Sequence, residues 1–140
     1  MRVPFLDLSG QYKEIKRDFG LAFKELVKRS DFILGKDVGS FEKDFSRYCD
    51  RKFAVGVNSG TDALFLGLKS LGIGPGDEVI VPAFTYIATS LAVTFTGAKP
   101  VFVDINEDTY NIDVDKIRAA ITRYTKAIIP VHLYGHPADM

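Results

Sequence analysis

Four short apolar runs recur across the second half of the chain: KFAVGV (52–57), DEVIVP (77–82), KPVFVDI (99–105) and KAIIPVHL (126–133). Each is rich in β-branched residues and almost uninterrupted by polar ones, the pattern of strands covered on both faces. The segments between them, TDALFLGLKSL, TYIATSLAVTFTG and DVDKIRAAITRY, are each long enough for a crossover helix. A β-α-β-α-β-α-β order, with short returns at GIGPGDE and TGAKP, calls for parallel strands joined by right-handed crossovers. The expected fold class is α/β, a three-layer sandwich of a mainly parallel sheet with helices on both faces.

Upstream, an extended VPFLDL leads into residues 10–29, where Tyr12, Ile15, Phe19, Ala22, Phe23, Leu26 and Val27 recur at helical spacing. Breaks at Gly35 and Gly39 follow. Gly39 or Ser40 is placed to cap a second helix with Phe41, Phe45 and Tyr48 on one face. Residues 1–140 thus divide into an N-terminal helical arm (1–51) and βα units (52–140), with no linker between them. At this length about 70% of the unfolded chain's surface can be buried, enough for one core.

Charge and cysteine use narrow the function classes. Eighteen basic and eighteen acidic residues cancel, so no field draws the chain to nucleic acid or a membrane surface. No apolar run approaches the eighteen or so residues of a membrane span. Cys49 has no internal partner, and the opening MRVPFLDLSGQYKE lacks the apolar core of a signal peptide, so a cytoplasmic protein is expected.

Lys52, Lys99 and Lys126 each begin an expected strand, whereas NSGT, PAFTYIAT, DINEDTYNID and HLYGH each follow one. Ligands of open α/β sheets bind outside the carboxyl ends of strands, so function is expected in these four stretches. In NSGT, Gly60 removes the Cβ that would bar close approach of an anion. The amides of Gly60, Thr61 and Asp62 open a helix at the positive end of its macrodipole, and the hydroxyls of Ser59 and Thr61 add donors. The motif is neither a Walker loop nor a G-x-G-x-x-G fingerprint. On local grounds, Ser59 or Thr61 serves equally well as a plain helix cap, and the Asp62 carboxylate has to point away from any phosphate. Tyr86, expected in the first turn of the next helix, is placed to stack on a flat heteroaromatic ring tethered by that phosphate. The competing reading has Tyr86 and Phe84 closing the core.

Three further features carry less. His132 and His136 are four apart, but Gly135 and Pro137 argue for a loop and no third metal ligand is near, so no metal site is expected. Asp104 lacks the glycine fingerprint of a ribose-binding acid. DINEDTYNID reads as a hydrogen-bonded surface loop, and Gly35 and Tyr134 as groups that approach substrate in an assembled dimer.

The stretches FILGKDVGSFEKDF, AVGVNSGTDALFLGLKSLGIGPGDEVIVPAFTYIATSLAVTFTGAKPVFVDINEDTYNID and AAITRYTKAIIPVHLYGHPADM resemble the sugar-nucleotide aminotransferases of the DegT/StrS type, which are fold-type-I pyridoxal 5'-phosphate (PLP) enzymes. The resemblance covers nearly the whole chain in order. It implies the N-terminal part of the large domain of that fold. It also implies that the backbone amides of Thr61 and Asp62 hold the cofactor phosphate and that Tyr86 stacks on the pyridine ring; with Ser59 and Gly60 from the loop itself, these are the expected cofactor-binding residues. The implied reaction moves an amino group from glutamate to a nucleotide-linked keto sugar, in a homodimer with active sites at the subunit interface. The Schiff-base lysine and the aspartate that pairs with the pyridine nitrogen are expected after Met140. The chain is therefore expected to hold no catalytic residue and to be inactive alone. Two alternatives stay open: a sugar-nucleotide dehydratase of the same fold, with histidine in place of the lysine, and a non-catalytic phosphate-binding or regulatory module.

Overall fold

The computed structural model describes residues 4–140, so Val3 of the extended VPFLDL stretch and the first two residues of the arm lie outside the described residues. The chain forms two units, Met1–Gly56 and Val57–Met140.

In the first unit, α1 (Ser9–Arg29) starts beside the Asp7 carboxylate, which accepts from the Ser9 amide at 2.8 Å. It ends on Ser30 in the left-handed conformation, with Lys28 and Arg29 at the negative end of the macrodipole. Tyr12, Ile15, Phe19 and Phe23 repeat at helical spacing as expected, and all four are exposed. Helix α2 (Lys36–Tyr48) begins a full turn before the expected Gly39 or Ser40 cap. The cause is Asp31, whose carboxylate accepts from the Lys36 amide at 2.8 Å and anchors the helix from five residues upstream. Gly35 is the N-cap, and a Cβ there would lie 2.6 Å from the Asp31 carbonyl oxygen, so only glycine fits the turn. Phe41 stacks on Phe45 at 5.4 Å, and Phe45 meets Tyr48 at 6.3 Å.

The first expected strand, KFAVGV, is not a strand. The Gly56 amide is taken by the Glu42 carboxylate at 2.7 Å instead of a ladder. Apolar continuity alone does not make a strand, because each strand is defined by the ladder it shares with a neighbour. Lys52 accordingly begins no strand.

The second unit runs α3 (Gly60–Ser70), β1 (Glu78–Pro82), α4 (Ala88–Thr96), β2 (Lys99–Val103), α5 (Val114–Ala120) and β3 (Thr125–Ile128), followed by a 3-10 turn at Leu133–Gly135. The three strands are parallel in the order β2-β1-β3. The fourth expected strand stops at Ile128 because Pro130 has no amide to continue the ladder; the last bond runs from the Ile129 amide to Ile80 O at 2.9 Å.

Strand alternation sorts the core into two layers. Val79 and Val81 point to one face and pack with Leu68 of α3 and Val93 of α4, while Ile80 points to the other and packs with Val103, Ile112 and Ile117 of α5. All three β1 side chains are fully buried, each stabilising the fold by about 1.5–3 kcal/mol relative to exposure. The architecture is therefore α/β with helices on both faces of a parallel sheet.

Helix α4 is buried despite its hydroxyls. Ser90, Thr94 and Thr96 each donate to a carbonyl one turn back, at Ile87, Ser90 and Val93 (3.0, 3.0 and 2.7 Å). The hydroxyls are thus satisfied inside the helix and the face stays effectively apolar. Gly97 ends α4 at φ 87°, where a Cβ would sit 2.9 Å from Pro75 Cγ.

At the amino edge of the sheet, Glu78 ties all three strands. Its carboxylate accepts from Lys99 Nζ of β2 at 3.0 Å and from Thr122 Oγ1, just before β3, at 2.6 Å. The lysine that begins β2 is thus committed to this edge, opposite the strand ends where the four candidate stretches lie.

Candidate functional site

Topology brings the candidate stretches to one edge. β1, β2 and β3 are parallel, and the stretches after them (84–87, 104–112 and 132–138) leave from their carboxyl ends. α3 and α4 run back against the sheet, so both begin at that same edge. Phe65 of α3 meets Phe95 of α4 edge to face at 6.5 Å, fixing the two helices side by side.

At the start of α3, Ser59 is the N-cap, its Oγ accepting from the Asp62 amide at 3.1 Å. The Asp62 amide is therefore occupied, contrary to the expectation that three amides stand free. Capping and anion binding are compatible, because the Ser59 cap leaves the amides of Gly60 and Thr61 without an acceptor among the described residues. No protein atom lies within 4 Å of the position a Cβ would take on Gly60, so the space in front of these donors is open. Two free amides at the positive end of an eleven-residue helix are the donor arrangement that favours an anion.

Tyr86 does not sit inside the first turn of α4. It precedes the Ile87 N-cap and takes part through its carbonyl, which accepts from the Thr89 amide at 3.1 Å. Tyr86 is 77% exposed and has no aromatic neighbour among the described residues, which sets aside the reading of Tyr86 as core. Phe84 turns the other way, toward Tyr110, with ring centroids 6.2 Å apart.

DINEDTYNID is hydrogen-bonded as expected, with Asn106 Oδ1 accepting from the amides of Asp108 and Thr109 at 3.0 and 3.1 Å. It is not wholly a surface loop, because Asn111 and Ile112 are buried. Asn111, only 5% exposed, was invisible to motif reasoning. Its Nδ2 donates to the carbonyls of His136 and Pro137 at 3.3 and 3.0 Å, joining the loop after β2 to the loop after β3. Its Oδ1 is buried without a partner. The one sequence signal was an asparagine set directly before a core isoleucine.

His132 holds the second loop from its other side, Nδ1 accepting from the Ala138 amide at 2.9 Å, which places its proton on Nε2 when the ring is neutral. Among the described residues no three His, Cys, Asp or Glu side chains gather as a metal site. Asp104 turns its carboxylate to the Ile105 amide at 2.9 Å and to Lys116 at 3.3 Å, which together hold its pKa below the usual aspartate range. Gly35 is accounted for by its contact with Asp31. Tyr110 and Tyr134 both adopt left-handed backbone, φ 58° and 50°, at about 1–2 kcal/mol each.

Comparison with known proteins points one way. The sequence profile of the DegT/DnrJ/EryC1/StrS aminotransferase family matches residues 13–140. A dTDP-3-amino-3,4,6-trideoxy-α-D-glucose transaminase of Streptomyces venezuelae is 52% identical over 139 residues, covering 99% of this chain and 37% of that protein. The crystal structure of S. venezuelae DesV in complex with a ketimine intermediate superposes with a TM-score of 0.94 at 52% identity, over 99% of this chain and 37% of that one. NtdA from Bacillus subtilis with bound cofactor PMP superposes at 0.87 with 42% identity, over 99% of this chain and 32% of its own. The chain thus spans about a third of the length of these relatives.

Proposed function

Because the chain belongs to the DegT/DnrJ/EryC1/StrS aminotransferase family, we propose that it supplies the cofactor-phosphate and ring-stacking side of a PLP-dependent aminotransferase of its relatives' full length. The observation that carries this reading is the pair of unpartnered amides at Gly60 and Thr61, facing open space at the start of α3. In this reading the phosphate takes those two amides, with Thr61 Oγ1 beside them and Ser59 keeping the helix end ordered. Tyr86 lays its exposed ring against the pyridine face and limits its tilt. When bound, the cofactor supplies the electron sink that lets an amino group leave one carbon skeleton and join another. The chain's own part is binding and orientation, and the proton-carrying lysine and the pyridine-pairing aspartate belong to the remainder of such an enzyme.

The acceptor we assign is a nucleotide-linked keto sugar, which transamination converts to a nucleotide-linked amino sugar of the kind that the 52%-identical Streptomyces transaminase is named for. The donor we assign is glutamate, on the family's resemblance. A homodimer suits the exposed apolar stripe of α1, which keeps no residue buried. The test is the near-visible absorbance of the enzyme at its relatives' full length, loaded with PLP. Glutamate is expected to replace the long-wavelength band with a shorter-wavelength one. A band that glutamate leaves untouched refutes the aminotransferase reading, and failure to retain PLP at all refutes the phosphate assignment.

A further inference from the structure

Helix α4 carries four hydroxyl side chains, and one of them departs from the pattern of the others. Ser90, Thr94 and Thr96 donate to carbonyls of their own helix, one turn back. Thr89 instead places its Oγ1 3.2 Å from Thr85 Oγ1, in the loop between β1 and α4. Its amide donates to the Tyr86 carbonyl at 3.1 Å. Thr89 thus grips the chain twice around one residue, by its hydroxyl at the residue before Tyr86 and by its amide at Tyr86 itself. Thr89 is only 5% exposed, so this grip comes from the buried start of the helix onto an exposed ring. The pair also does the work of a missing cap, because Ile87 at the N-cap offers no side-chain acceptor. Upstream, the Ala83 amide donates to Val103 O at 2.8 Å and ties the start of the loop to β2, while Thr85 and Thr89 tie its end to α4.

We propose that Thr89 is a positioning residue for cofactor binding, a role that rests on the PLP reading above: by fixing the backbone around Tyr86, it sets the direction from which that ring meets the pyridine ring. Side-chain rotamers follow backbone φ and ψ, so a fixed turn limits the orientations open to the Tyr86 ring before any ligand arrives. A tyrosine on a loose turn gives up more freedom when it stacks, and binding weakens by that loss. The Thr89 side chain is buried and therefore acts on the cofactor only through the ring. Its hydroxyl is the part that matters, because the threonine methyl packs but makes no hydrogen bond to Thr85.

The test uses the enzyme at its relatives' full length and reads two quantities, the PLP dissociation constant and the circular dichroism induced in the absorption band of bound PLP. Thr89→Val exchanges the hydroxyl for a methyl of nearly the same shape, and Thr89→Ser keeps the hydroxyl. Thr89→Val is expected to weaken PLP by roughly two- to tenfold, the range of an aromatic stacking contact, and to diminish the induced dichroism per bound cofactor. Thr89→Ser is expected to restore both. A merely structural role is separated by a double-mutant cycle: in a Tyr86→Leu background, Thr89→Val should change neither quantity further. Should Thr89→Val fail to fold, Thr85→Val removes the same hydrogen bond from the loop side and carries the same expectation. Unchanged PLP affinity and dichroism in the valine variant, a serine variant as impaired as the valine one, or an equal loss without the Tyr86 ring each overturn the proposal. Failure of the unsubstituted enzyme to retain PLP refutes the cofactor reading and this role with it, whereas retained PLP with an indifferent Thr89 refutes the role alone.

Discussion

Removing the Asn111 amide tests whether the two loops are held by it. In Asn111→Ala the carbonyls of His136 and Pro137 lose donors at 3.3 and 3.0 Å. Two hydrogen bonds at about 0.5–1.5 kcal/mol net each suggest a loss of about 1–3 kcal/mol. The value should fall toward the lower end, because the substitution also deletes the buried, unpartnered Oδ1, whose desolvation opposes folding. Asn111→Asp keeps the shape but sets a carboxylate oxygen against two carbonyl oxygens at a site only 5% exposed. A buried charge without a partner costs about 3–5 kcal/mol, so the near-isosteric change should be the more damaging one. Burial raises the introduced carboxyl's pKa, so its penalty should shrink as the pH falls and the protonated group regains one donor. The assay is urea unfolding at neutral and mildly acidic pH, read from midpoints at constant slope. An Asn111→Asp protein as stable as Asn111→Ala at neutral pH would refute the donor assignment.

Two other outcomes follow from the same structure. A Cβ added at Gly60 has no neighbouring atom within 4 Å, so in Gly60→Val fold stability should stay within about 1 kcal/mol by thermal unfolding, while PLP retention through gel filtration drops sharply; full retention would show that the phosphate does not sit against this glycine. At the opposite edge, hydrogen bonds from Thr122 and Lys99 hold the Glu78 carboxyl below the usual glutamate range. Its contribution is present above the unfolded value of about 4.3 and is lost as the pH falls through the lower folded value, so Glu78→Gln should flatten that part of the acid unfolding curve. An unchanged acid limb would mean that the tie does not distinguish folded from unfolded chain.

What the sequence disclosed depended on how local the determining contact was. EVIVP was legible as a buried strand because a nearly continuous apolar run of strand length already requires two covered faces. Ser59 was legible as a cap, since donor and acceptor belong to one helix turn. The start of α2 was not, because its anchor Asp31 lies five residues away and acts through a carboxylate. KFAVGV misled because a strand is a property of pairs, and an apolar run does not name its partner; here the Gly56 amide goes to the Glu42 carboxylate. Asn111 went unseen because its partners lie 25 and 26 residues downstream.

The order β2-β1-β3 also sets a timetable for synthesis. The central strand is made first, and its ties at Lys99 and Thr122 follow 21 and 44 residues later. At about 5–20 residues per second, β1 leaves the ribosome ahead of both neighbours, and the interval between the first tie and the second lasts roughly one to five seconds. During that interval one flank of the most apolar strand is unpaired. A nascent chain of this design is most exposed to chaperones, and to mispairing with a neighbouring nascent chain, between completion of β2 and arrival of β3.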